Sequence, residues 1–154
     1  MEYEKVAEQF GTWAPKFKPF IESKEFDAIF KHLKTQGKEG ITICPDSKDV
    51  FRSFKETPYE KLRAVFLLQD PYPWIKGGKM VADGIPMSCS NTKVLQPSLE
   101  LFYRGMEDDL GIKVPRETDL SYLCREGVLL LNSSLTVEAN KPGSHVGLWD
   151  PFIK

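Results

Sequence analysis

Residues 64–74, AVFLLQDPYPW, restrict the possible folds more than any other stretch of the chain. Five apolar residues, Ala64 to Leu68, run without a polar break and stop at Gln69-Asp70-Pro71-Tyr72. A short unbroken apolar run fits a strand buried on both faces, as in a parallel sheet. Pro71 cannot continue a central ladder, so the strand ends there. The pattern recurs at Val128-Leu129-Leu130-Leu131, which ends at Asn132. With helical segments between the two runs, the order predicts an α/β fold with a parallel sheet and helix crossovers. If the strands are neighbours, Gln69, Asp70 and Asn132 meet at the carboxyl edge, where open α/β sheets bind ligands.

The remaining segments supply the layers. Residues 1–37 read as helical, with Phe10, Trp13, Phe17, Phe20 and Ile21 as one apolar set. Phe26, Ile29, Phe30 and Leu33 form the next. Pro15 and Pro19 interrupt the first part, which predicts two short helices, and the aromatics read as core packing. Ile41 to Cys44 reads as extended. Asp46 or Ser47 can cap a short helix carrying Val50, Phe51 and Phe54. Thr57-Pro58-Tyr59-Glu60 has a capping-box pattern before the first strand. Ile75-Lys76-Gly77-Gly78-Lys79 reads as a plain loop or a phosphate-approach loop without the P-loop arrangement. Gly84 to Ser88 reads as extended. Ser98 can cap a helix over Leu99, Phe102, Tyr103, Met106 and Leu110, closed by Gly111, and Thr118 or Asp119 can cap the next, which stops at Gly127. Leu135-Thr136-Val137 continues extended.

A chain of 154 residues is most simply a single domain, here residues 1–154. Its net charge of −1 rules out a general coating of positive charge, so any nucleic-acid contact is local. Cys44, Cys89 and Cys124 are too few and too far apart for a disulfide framework or a metal site. They point to a reducing, intracellular compartment, cytoplasmic or nuclear, rather than secretion. With only His32 and His145, a histidine-rich metal site is not expected. No apolar run approaches membrane-spanning length, so no membrane partner is expected.

The predicted edge has a definite chemistry. The Asn132 amide carries a donor and an acceptor side by side and can grip a planar heterocycle at an N–H/C=O edge. Leaving that amide unpaired is costly, so it rejects rings with the wrong edge. Asp70 can activate water or stabilise a developing cation. Tyr72 adds a flat wall. The same residues can instead merely satisfy backbone groups at strand ends.

Gln69-Asp70-Pro71-Tyr72 and Leu130-Leu131-Asn132-Ser133-Ser134-Leu135-Thr136-Val137 together resemble the uracil-DNA glycosylase family, of the family 1 type. Matches in the same order come from Asp49-Val50-Phe51-Arg52, Thr57-Pro58, Ala82, Gly84 and Ser88, Gln96-Pro97-Ser98-Leu99, Ser144-His145 and Trp149. The resemblance implies a three-layer α/β sandwich with a short central parallel sheet flanked by helices. It implies hydrolysis of the N-glycosidic bond of a uracil flipped out of DNA, in base-excision repair, by a monomer with no metal or cofactor. Asp70 would be catalytic, orienting water and stabilising the oxocarbenium-like sugar. Asn132 would read the uracil edge, Tyr72 would exclude the thymine methyl, Met87 would meet the ring face and Gln69 would offer its backbone N–H. Gln96, Pro97 and Ser98 would touch the DNA backbone. Leu68, Pro73 and Met87 stand where the family usually has glycine, histidine and phenylalanine. The His-Pro-Ser loop that holds a catalytic histidine in the family has no match here, and the chain is expected to be truncated before it. The alternative reading is a weak or inactive glycosylase-like module that binds DNA or protein.

Overall fold

The computed structural model describes residues 3–154. Met1 and Glu2 of the expected N-terminal helical stretch lie outside them. Helices α1 (Tyr3–Phe10), α2 (Ala14–Ile21) and α3 (Lys24–Lys38) come first. The expected break at the prolines falls earlier, in a single 3₁₀ turn at Gly11–Trp13. Pro15 sits in the first turn of α2, where its missing N–H costs nothing, and α2 runs through Pro19 to Ile21. Ser23 caps α3 by accepting from Phe26 N at 3.2 Å. Strand β1 (Ile43–Cys44) and helix α4 (Arg52–Glu56) follow. The predicted capping box at Thr57 does not form. A 3₁₀ turn, Tyr59–Lys61, starts after Pro58 without a side-chain cap.

Strand β2 (Ala64–Leu68) leads into a hairpin of β3 (Ile75–Lys76) and β4 (Lys79–Met80), where a loop was expected. Residues 84–88, expected to be extended, form turns instead, with Ser88 N donating to Ile85 O at 3.0 Å. Helix α5 (Pro97–Leu110) starts one residue before Ser98, using Pro97 in its first turn. Helix α6 (Ser121–Arg125) is led in by Asp119, whose Oδ1 accepts from Ser121 N at 3.0 Å. Strands β5 (Val128–Asn132) and β6 (Val137–Glu138) and helix α7 (Asp150–Ile153) complete the order.

β2 and β5 pair in parallel, with Ala64 opposite Val128 and Leu68 opposite Asn132. β1 and β6 pair antiparallel. Alternation along β5 creates the layers. Leu129 and Leu131 join a cluster with Phe10, Trp13, Ile21, Phe26, Phe51 and Phe54 from the N-terminal helices. Leu130 and Val128 join a second, with Leu99, Tyr103, Leu120 and Cys124 from α5 and α6. Phe10 stacks on Phe51 at 4.1 Å between ring centroids, and Phe17, Phe54 and Phe152 pack around it. The Ser53 hydroxyl donates to Leu130 O and ties α4 to β5.

β2 departs from expectation. Its side chains were predicted to be buried on both faces, yet Val65 is 51%, Phe66 48% and Leu67 59% exposed. Among the described residues the strand pairs with β5 on one edge only, and neither helical cluster includes these three residues. An unbroken apolar run reads the same whether one neighbour or two are present. The three-layer arrangement therefore holds around β5 and stops at β2.

Candidate functional site

The parallel register brings the two polar strand ends together. Beyond the last paired residues, Ser133 N donates to Leu68 O at 2.9 Å, and Ser134 N donates to Gln69 O at 3.0 Å. The Ser133 hydroxyl adds a bond to Gln69 O at 2.9 Å. Gln69-Asp70 is thus laced to Asn132-Ser133-Ser134, and both segments open on one cleft. Leu68, Gln69, Asp70, Tyr72, Met87, Ser98 and Asn132 line it, and its volume is about 170 Å³. Tyr72, Met87 and Asn132 also line a narrower inner pocket of about 20 Å³, backed by Phe54, Ala82 and Leu130.

Asn132 is only 6% exposed, and its side-chain amide makes no hydrogen bond with any described residue. Buried amides are normally paired, so an amide turned into a cleft without a partner is poised for a ligand. The Asp70 carboxylate is fixed from the opposite side, because Gly143 N donates to Oδ2 at 2.7 Å. The Gly143 turn is itself anchored. Ser144 Oγ accepts from Glu138 N at 2.8 Å, and the Ser134 hydroxyl donates to His145 O at 3.1 Å.

Tyr72 and Met87 form one wall. The Tyr72 hydroxyl lies 3.2 Å from Met87 O and 2.5 Å from Ser98 Oγ. Burial raises the pKa of Tyr72, with the Ser98 hydrogen bond opposing it, so the ring stays protonated and keeps its donor. Met87 adopts φ +63°, which is uncommon for a residue with a side chain. The strain is held by Asp83, a buried carboxylate that gathers the whole turn. Asp83 Oδ1 accepts from Ile85 N at 3.1 Å. Its Oδ2 accepts from the Ser88 hydroxyl at 2.6 Å, Ser90 N at 2.9 Å and the Ser90 hydroxyl at 2.5 Å. Arg52 neutralises it from 3.2 Å and reaches Asp119 at 3.3 Å. Gly84 completes the turn: a Cβ there would lie 2.0 Å from Asp49 O, so only glycine fits.

Not every expected contact residue faces outward. Pro97 and Ser98 are exposed beside the cleft. Gln96 is 3% exposed, and its amide is occupied internally, donating to Val94 O at 2.7 Å. His145 is buried, with Nδ1 2.8 Å from the Thr136 hydroxyl, which also accepts from Trp149 Nε1 at 2.8 Å. Asp83 and Gly143 were not singled out from the sequence. For Asp83 a signal existed, since two serines follow within seven residues and suit a carboxylate-centred turn. For Gly143 there was none. Among the described residues, no group of three or more His, Cys, Asp or Glu side chains is arranged to hold a metal ion.

No family model matches the chain. Individual proteins do. The uracil-DNA glycosylase of Coxiella burnetii (strain RSA 493) is 37% identical over 142 residues, covering 92% of this chain and 60% of the relative. That of Acinetobacter baylyi is 38% identical over 142 residues, covering 92% and 58%. The chain is homologous to the uracil-DNA glycosylases. It spans about 60% of the length of these curated relatives. The fold agrees: the crystal structure of mimivirus uracil-DNA glycosylase superposes with a TM-score of 0.85 at 24% identity, over 99% of this chain and 55% of that one. A mimivirus UNG variant solved in complex with UGI superposes at 0.84, with 25% identity over 92% and 53% of the two chains.

Proposed function

We propose that the chain carries the uracil-recognising and water-activating half of a uracil-DNA glycosylase, and that it hydrolyses the N-glycosidic bond of uracil flipped out of DNA. The observation that carries this reading is the pairing of an amide that opens on the cleft, that of the otherwise buried Asn132, with a fixed carboxylate, Asp70. Asn132 donates to and accepts from the uracil edge. Tyr72 blocks the position that a thymine methyl would occupy, and Met87 lies against the ring. The backbone N–H of Gln69, which meets no acceptor among the described residues, faces the base. Asp70 orients water and stabilises the positive charge that develops on the sugar as the bond breaks. Pro97 and Ser98 meet the DNA backbone, and Gln96 supports them from inside. Residues 1–154 act in this reading as one glycosylase-like domain, a monomer at work inside the cell. Three buried free cysteines suit a reducing compartment.

The test is incubation of the protein with a uracil-containing single-stranded oligonucleotide, followed by alkaline cleavage of abasic sites. Cleavage at the uracil position, reduced at least about 100-fold in Asp70→Asn, is expected for loss of one electrostatic stabiliser. No abasic product at any enzyme excess would overturn the reading. A second reading, a base-binding module with little turnover, is favoured by one observation: Asp70 is the only charged side chain among the described residues that line the cleft. It predicts DNA binding that survives Asp70→Asn with no turnover to lose.

A further inference from the structure

We infer that the β3–β4 hairpin is a second contact for the phosphodiester backbone, with Lys76 and Lys79 gripping a phosphate beside the cleft. This rests on the glycosylase reading above for the identity of its partner, a DNA strand. The hairpin is closed by Gly77-Gly78 with φ of +56° and +73°, the sign pattern of a two-residue turn that matches strand twist. That turn sets Lys76 directly opposite Lys79. Side chains of directly opposed residues leave the same face about 5 Å apart, and like charges there are destabilising. Both lysines are exposed. Residues 71–82 and 90–99 contain three lysines and no carboxylate, on a chain whose net charge is −1. An opposed lysine pair with no acid in the surrounding segments is the arrangement an anion would bridge.

The hairpin also stands in the right place. Lys76 Nζ lies 3.4 Å from Gln96 Oε1, immediately before the exposed Pro97 and Ser98 at the start of α5. Its base is closed on itself and tied to the turn that follows β6. Val81 N donates to Trp74 O at 3.0 Å, and Asn140 N donates to Pro73 O at 2.8 Å. Asn91 holds Met80 O at 3.2 Å and Ala82 O at 3.1 Å, which brings the turn carrying Lys93 against β4. A strand running past Ser98 therefore meets the lysine pair next.

The experiment is fluorescence anisotropy of a labelled single-stranded oligonucleotide containing uracil, over a series of salt concentrations. Lys76→Gln/Lys79→Gln should reduce the salt slope of log K by about 1.4, for two lost contacts to single-stranded DNA, and weaken binding about tenfold or more near 0.1 M salt. Lys24→Gln/Lys38→Gln on α3 should change neither. Lys79→Glu separates a binding role from a structural one. It creates an opposite-charge pair, so the melting temperature should hold or rise while DNA binding falls. If the wild-type chain binds DNA and the hairpin variants keep its slope and affinity, the hairpin inference is overturned and the glycosylase reading stands. If the wild type binds no DNA at low salt, both fall.

Discussion

Asn132 and His145 show how burial assigns different roles to single polar residues. Both are buried and both leave polar atoms without a protein partner, but Asn132 opens on the cleft whereas His145 is enclosed between β6, α3 and Trp149. Nε2 of His145 has no partner among the described residues, and the His32 ring centroid is 6.2 Å away. Burial pushes its pKa below the usual histidine value, Glu138 opposes that, and His32 adds to it. A histidine held neutral in the folded state takes up a proton more readily when unfolded. Stability is therefore complete above the unfolded pKa, about 6.5, and declines as pH falls from there toward the folded value. Thermal melts between pH 7.5 and 5 should show this decline, and it should flatten in His145→Gln. A melting temperature independent of pH across that window would show that His145 titrates alike in both states.

At the level of elements, the turn of residues 83–90 deserves the most weight, because it sets Met87 and, through Met87 O, the Tyr72 hydroxyl. Asp83 draws four hydrogen bonds and one arginine, so removing its carboxylate unpairs the whole turn and leaves the half-buried Arg52 with only Asp119, at 3.3 Å, and Glu56, at 3.6 Å, among the described acidic residues. Asp83→Ala should destabilise the fold by about 3 kcal/mol, the range for breaking a buried pair, measured by urea unfolding. It should also loosen the Tyr72–Ser98 contact. A loss under about 0.5 kcal/mol would mean that the carboxylate is not the organiser of the turn. The hub left only a faint signal in the sequence, the two serines that follow Asp83, and the hairpin was not legible, for different reasons. Asp83 acts through partners that no periodicity marks. Gly77-Gly78 between Ile75-Lys76 and Lys79-Met80 fits a hairpin turn, but two-residue strands are too short to alternate visibly. By contrast, α5 and both main strands were legible, because their apolar spacing is long enough to count and their ends carry proline, glycine or a polar stop.

Across the whole molecule, the arrangement follows from one strand. β5 is covered on both faces, and its last residue carries the amide. β2 borrows its position from β5 and delivers Asp70 and Tyr72, although its own side chains stand in solvent. The sequence showed two apolar runs that each stop at a polar residue, and the parallel pairing of β2 with β5 makes those strand ends meet. It did not specify burial of β2, which depends on neighbours that a local pattern cannot count. The candidate site was legible because Asp70, Tyr72 and Asn132 lie at those strand ends. Gly143, which fixes Asp70, comes from a turn 73 residues further along and is known only from the fold. The central claim, that this cleft reads the edge of uracil, is tested most directly by titrating free uracil into ¹⁵N-labelled protein and following the Asn132 side-chain amide. The account predicts a saturable shift with uracil, none with thymine, and a thymine response that appears in Tyr72→Ala. An Asn132 amide that does not move with uracil, or that moves equally with thymine in the wild type, would contradict it.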